Sequence, residues 1–253
     1  MPVKPPPEPI AVLVILIVVA LVGGLLWWVI RQTEKRTDGF RQFAESRSLR
    51  FIGRSTKFLH YFSAFDLFTR RSTPRTRQLS NLIHGPIRDC DIWIFDYYDT
   101  QVFSSKGSWA RQSVICIESE ALSLPRFSVL PVKIEHETNG AGGLFAPRRI
   151  LKRMTRRLER DEIELAGRNK FYEKYRIGGP NAQAIQRLFD TSVNEMLEQL
   201  GSVSVEGDGC KMLIYRESRM APVADLPEFV GEAISLYSLL KSSRSGRVGP
   251  SLD

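Results

Sequence analysis

The sequence predicts an α+β fold, with a single N-terminal transmembrane helix followed by a mainly antiparallel sheet packed with helices. Three observations carry that expectation. An uncharged apolar run fills residues 10–30. Short apolar segments, bounded by turn residues, come after it. Hairpins outnumber strand–helix–strand units, which argues against a parallel sheet.

As a helix, the run IAVLVILIVVALVGGLLWWVI covers about 32 Å, enough for the hydrocarbon core of a bilayer. A cleaved signal peptide would need a basic start, a shorter apolar core and a small-residue cleavage site. Here Lys4 is offset by Glu8, and the small residues at 20–24 lead only to more apolar chain, which favours retention. Arg31, Lys35, Arg36, Arg41, Arg47 and Arg50 lie after the run, whereas only Lys4 and the terminal amine precede it. Cationic flanks stay cytoplasmic, so the expected placement is the cell membrane, single-pass, N-terminus out and domain inside. Trp27 and Trp28 then fall at the inner headgroup level.

The expected organisation is a proline-rich extracytoplasmic stub (1–9), the transmembrane helix (10–30) and a juxtamembrane helix (31–48). A cytoplasmic α+β domain (49–241) and a disordered tail (242–253) complete it. A glycine-rich stretch marks a sub-boundary near 138–147. An apolar content of 43 % with 10 % aromatics supports a packed core rather than a disordered chain. Cys90, Cys116 and Cys210 are odd in number and widely spaced, as suits reduced thiols.

Within the domain, Phe40, Phe43 and Ala44 form one apolar patch on the juxtamembrane helix. Residues 49–53 read as a short strand. Residues 57–68 carry aromatics at near-helical spacing, with Phe58, Phe62 and Phe65 inward. Residues 70–77 are a basic loop. Strands are expected at 78–84, 91–98 and 111–118, with a turn at Lys106–Gly107. The middle one, DIWIFDYY, puts Ile92 and Ile94 on one face and Trp93, Phe95 and Tyr97 on the other, which suits a central strand buried on both sides. Residues 125–132 and 171–177 are further extended pieces. A helix at 181–200 presents Ile185, Leu188, Phe189, Val193, Met196, Leu197 and Leu200 as one stripe. A hairpin turns on Gly207–Asp208–Gly209. The last helix starts at Asp225, spaced from Glu228 as in a capping box, and buries Leu226, Phe229, Val230, Ala233, Leu236, Tyr237 and Leu240.

Catalytic signatures are absent from the sequence. Asp89, Asp91, Asp96 and Asp99 are close in sequence, but Asp96 falls on the opposite strand face from the first two, so strand-end solvation is the simpler reading. His60, His84 and His136 lack partners at metal-ligand spacing, and TNGAGG at 138–143 lacks the Lys-Ser/Thr of a phosphate loop. Cys116 and Cys210 are read as mid-strand residues, where an inert buried thiol is the default. No catalytic, cofactor-binding or metal-binding residue is therefore assigned.

The strongest feature outside the core is the basic amphipathic segment 148–165. Leu151, Met154, Leu158 and Leu165 form a narrow stripe, with Arg149, Lys152, Arg153, Arg156, Arg157 and Arg160 opposite. These six are the candidate contacts to an anionic inner leaflet. An ordinary solvated helix docked through its Leu and Met residues is an equal reading. The net charge of +8 and pI near 9.6 also suit nucleic acid, but no interleaved aromatics or reader motif accompany the arginines.

Several stretches together carry a resemblance. They are NLIHG from Asn81, DYYDT from Asp96, RQSVICI from Arg111, LPRFSVLP from Leu124, FYEKYRIGG from Phe171 and VEGDGCKMLIYR from Val205. Over residues 40–241 the chain resembles a family of bacterial membrane-anchored proteins with an uncharacterised cytoplasmic domain. That resemblance implies membrane tethering and no established activity. The expected function is a membrane-tethered binding or scaffolding module whose partners are the lipid bilayer and a protein. The alternative is an enzyme acting on a membrane-proximal substrate, with Asp96 and Asp99 lining its site.

Overall fold

A computed structural model describes residues 9–69, 77–99, 110–132, 163, 171 and 174–245. In chain order the elements are α1 (Pro9–Ser46), β1 (Arg50–Ser55), α2 (Asp66–Thr69), β2 (Arg77–Ile87), β3 (Cys90–Asp99), β4 (Ala110–Glu118) and β5 (Leu124–Pro131). Then come β6 (Tyr175–Gly178), α3 (Ala182–Leu188), α4 (Thr191–Leu200), β7 (Ser204–Gly209), β8 (Lys211–Tyr215) and α5 (Leu226–Ser245). Among the described residues, eight strands form one sheet in the order β1-β2-β3-β4-β8-β7-β5-β6. Every neighbouring pair is antiparallel, so the α+β architecture expected from hairpin spacing is the one observed.

The apolar run and the juxtamembrane segment are one uninterrupted helix of 38 residues, about 57 Å long. Its two ends behave differently. Every described large apolar side chain from Leu13 to Ile30 is between 47 % and 68 % exposed, while Phe40, Phe43 and Ala44 are buried against the sheet. The helix stops in a Schellman motif: Leu49 N–H donates to the Ala44 carbonyl (2.8 Å) and Ser48 N–H to the Glu45 carbonyl (3.2 Å). Ser48 takes the left-handed conformation that such an ending requires (φ 55°).

Two cores lie on the two faces of the sheet. One joins Ile92 and Ile94 of β3 to the buried end of α1 and to α3, α4 and α5. The other joins Trp93, Phe95 and Tyr97 to Phe62, Phe65, Leu67 and Phe68. β3 therefore behaves as its alternation predicts, hydrogen-bonded on both sides and buried on both faces. It lies third from one edge rather than at the middle, where β4 and β8 meet.

Further expectations change. The extended piece expected at 171–177 is strand only from Tyr175, with Phe171 and Lys174 helical. Residues 57–68 form a 3-10 turn (Lys57–Leu59), irregular turns and the short α2 rather than a helix. Phe62 and Phe65 still bury, with Phe58 half-buried beside them, because packing on the sheet needs only that the rings reach it. The helix expected at 181–200 is split into α3 and α4, since the Asp190 carboxylate accepts from Val193 N–H (3.0 Å) and starts a new helix. The last helix runs to Ser245, beyond the expected start of the tail, and residues 223–225 form a 3-10 turn ahead of it.

The β7–β8 turn also falls later than expected, at Gly209–Cys210, with Asp208 paired to Lys211. Gly207 belongs to the strand because the Phe127 ring lies over it. A Cβ there would stand 2.2 Å from Phe127 Cε1. Gly207→Ala should therefore cost about 1–3 kcal/mol through overpacking, seen as a lowered denaturant midpoint with an unchanged slope.

Candidate functional site at the anchor–sheet junction

Arg36 lies one turn before Phe40 on the inward stripe of α1, which aims its side chain at the sheet. Asp96 continues the Ile92, Ile94 face of β3 and is completely buried. The two meet in a bidentate pair. Arg36 Nε donates to Asp96 Oδ2 (2.8 Å) and Nη2 to Oδ1 (2.7 Å). Asn81 Nδ2 and Ser113 Oγ donate to the same carboxylate, each at 2.8 Å. Arg36 Nη1 also donates to the Ala221 carbonyl (2.8 Å), and its guanidinium lies 5.0 Å from the Phe40 ring centre.

Backbone irregularity builds this cluster. The β2–β3 register shifts between Ser80 and Ile83, and Asn81 in that bulge has φ 52°, a conformation asparagine tolerates. The bulge turns its amide toward both Asp96 and Thr37, whose hydroxyl donates to Asn81 Oδ1 (2.9 Å). Ala221 N–H in turn donates to Ser113 Oγ (3.0 Å). Four segments distant in sequence are thus locked to one carboxylate, which is what a buried charge needs in low dielectric.

A second buried carboxylate has a structural task as well. Glu206 accepts from the backbone N–H groups of Asp66 (2.6 Å) and Leu67 (3.2 Å) and from the Tyr215 hydroxyl (2.8 Å). It closes the N-terminus of α2 and so holds the aromatic segment on the sheet.

The aspartates singled out from sequence do not converge. Asp89 lies in the turn before β3 and Asp96 seven residues further along the strand, roughly 23 Å away at the rise of a β-strand. Asp89 takes Lys241 and the Tyr237 hydroxyl as partners, and the Lys241 hydrogen bond holds its carboxyl below the usual range. Asp91 is exposed, while Asp99 is buried and receives the Tyr97 hydroxyl at 3.4 Å. An open depression of about 340 Å³ beside Asp89, Tyr237, Ser238, Lys241 and Ser242 contains only that ion pair. Among the described residues no group of His, Cys, Asp and Glu is placed to hold a metal ion.

His60 is exposed, and His84 stacks on Trp93 with ring centres 3.7 Å apart, burial holding its pKa below the ordinary value. Burial pushes the Cys90 thiol up to about 11 and raises that of Cys116 further, which makes both poor nucleophiles. His136, the 138–143 loop, the Lys106–Gly107 turn and the basic segment apart from the buried Ile163 lie outside the described residues. So Arg149, Lys152, Arg153, Arg156, Arg157 and Arg160 gain no structural placement.

In the sequence alone Arg36 is one of several flanking cations and Asp96 reads as a solvated strand-end residue. Two signals were there to be read: an arginine on the same stripe as Phe40 and Ala44, and an aspartate on the inward face of an apolar strand. Asn81 and Ser113 carried no such signal.

No family model matches the chain, and no curated relative matches it by sequence. Its fold is similar to the crystal structure of the mycobacterial trehalose monomycolate transport factor A, TtfA, with a TM-score of 0.51 and 15 % identity, over 86 % of this chain and 98 % of that one. At this identity the likeness is one of fold alone: an N-terminal helix long and apolar enough to cross a membrane leads here into an antiparallel α+β domain.

Proposed function

We propose that the chain is a membrane-tethered, cytoplasm-facing binding or scaffolding module, held by α1 at a set height and angle on the bilayer. The observation that carries this reading is the continuity of α1. Its bare apolar half passes without a linker into a half buried on the sheet and pinned by the Arg36–Asp96 pair. A flexible tether would suit a domain that searches for soluble substrate, whereas a rigid one suits a domain that presents a surface. The cationic flank after residue 30 supports the inward orientation. The shared fold with a protein known as a transport factor supports an accessory role at a membrane, as does the resemblance to bacterial membrane-anchored proteins. The enzymatic alternative needs Asp96 and Asp99 at an open cleft, and both are buried. From sequence alone, the six cations of segment 148–160 remain part of the proposed lipid contact.

Two measurements test the reading. A reporter fused after Asp253 that is active only outside the cytoplasm should stay silent, and its activity would overturn the orientation. The chain should also co-purify with a protein partner from gently solubilised membranes. It should lose that partner when residues 9–30 are replaced by an unrelated spanning helix joined through a flexible glycine-serine linker. A partner retained after that exchange would remove the case for rigid presentation.

A further inference from the structure

The junction fixes which end of the sheet faces the bilayer. Along α1, Arg36 meets Asp96 and Ser113, Thr37 meets Asn81, and Leu49, just past the helix end, packs beside Gly85. Gly85 pairs with Ile92 and Ser80 with Asp96, so α1 runs antiparallel to β3. Residues beyond Asp96 therefore lie on the side from which the apolar run arrives. Asp99 is three residues past Asp96, about 10 Å along the strand. Ile30 is six residues before Arg36, about 9 Å along the helix. The strand ends carrying Arg77, Asp99 and Ala110, which pair with one another, thus stand near the level where the apolar run ends.

That rim is built and cationic. Arg111 is exposed, its guanidinium 5.7 Å from the Tyr98 ring centre. Arg219 is exposed on the connection from β8 to α5. This connection is pinned to β4: Ser113 N–H donates to the Arg219 carbonyl (3.2 Å) and Ser218 N–H to Gln112 Oε1 (3.1 Å). Met220 follows Arg219 in the chain, and its sulfur accepts from the Tyr98 hydroxyl at 4.0 Å. Arg31 and Lys35 are exposed on α1 at the same level, and Arg77 donates to the Phe68 carbonyl nearby. Among the described residues at this level the acidic groups are Glu34, Glu217 and the buried Asp99, fewer than the cations Arg31, Lys35, Arg77, Arg111 and Arg219. Tyrosine and methionine among arginines suit the headgroup layer, where a ring or thioether meets lipid and a guanidinium meets phosphate.

We propose that this rim, with Arg111 and Arg219 as its principal cations, binds anionic phospholipid headgroups of the leaflet that α1 leaves. The proposal rests on the membrane-tethered reading and holds for either orientation of the chain. Lipid contact is thereby assigned to residues distinct from the 148–160 segment. A domain clamped on its helix cannot turn another face to the bilayer, so the contact is set by the Arg36–Asp96 junction.

The test uses the full chain in nanodiscs, with Cys210→Ser to remove an accessible thiol and Ser218→Cys to carry a fluorophore on the rim. Headgroup-spin-labelled lipid serves as quencher. Quenching should be greater in an equal mixture of phosphatidylglycerol and phosphatidylcholine than in phosphatidylcholine alone, and should fall as salt is raised. Arg111→Gln and Arg219→Gln should each lower the ratio of docked to undocked rim about fivefold. Equal quenching in the two lipids, quenching insensitive to salt, or no change in the two variants would overturn the proposal. The salt series on the arginine-containing chain decides the matter even if a variant folds poorly. Failure of the chain to enter nanodiscs at all is a different result, which overturns the tether and the rim contact with it.

Discussion

Replacing Arg36 by methionine should destabilise the full chain in detergent micelles by about 3–5 kcal/mol, because the variant leaves the Asp96 carboxylate buried and short of its cation. The size comes from the geometry. Asp96 has no exposure and Arg36 retains 17 % of its side-chain surface, so solvent cannot replace the lost partner at the carboxylate. Asn81 and Ser113 would still donate, but two neutral donors do not balance a charge in low dielectric. The double variant Arg36→Met with Asp96→Leu should recover much of the loss, since an apolar pair of similar volume removes the charge that needed solvating. Denaturant unfolding followed by tryptophan fluorescence gives both numbers. A loss under about 1 kcal/mol for the single variant, the range of exposed pairs, would show that water reaches Asp96 and that the junction is loose. A junction that is loose in this way would also spread the distances between spin labels on the domain and in the bilayer.

Phe95→Ala should cost about 3–5 kcal/mol, the range for emptying a buried aromatic site. Its ring is fully buried, 4.9 Å from that of Phe62 and 6.2 Å from that of Phe68. Those two rings belong to the irregular segment between β1 and β2, which has little regular secondary structure to sustain it. The substitution should therefore do more than lower global stability. Amide exchange at Phe62 to Thr69 should quicken beyond that of β3, while α5 on the opposite face keeps its protection. Uniform loss of protection across the sheet would mean that the aromatic cover and the sheet unfold as one unit.

How far the fold was legible depended on the range over which each signal acts. The burial of β3 on both faces is readable from alternation in eight residues, and the apolar start of α1 from twenty-one. The inward faces of α5 and of the 181–200 stretch are readable likewise, because periodicity needs no knowledge of the partner surface. Boundaries that depend on competition were misplaced. Asp190 could extend one helix or start another, and its hydrogen bond to Val193 N–H chose the second. Gly207 read as a turn residue, because sequence cannot show that the Phe127 ring occupies the space a side chain would need.

The sequence by itself determined that one N-terminal segment is fit for a bilayer and that the rest of the chain builds an antiparallel α+β domain. Hydrophobic length and period are properties of contiguous residues, so no tertiary information was required. Only the tertiary structure decided what joins the two. The Arg36–Asp96 pair spans sixty positions, and the Arg36 contact to Ala221 spans 185. An arginine beside an apolar run looks the same in sequence whether it faces lipid headgroups or a buried carboxylate. Which of these it does depends on the β2 bulge that carries Asn81 and on the strand pairing that brings Ser113 alongside, both set by the folded sheet.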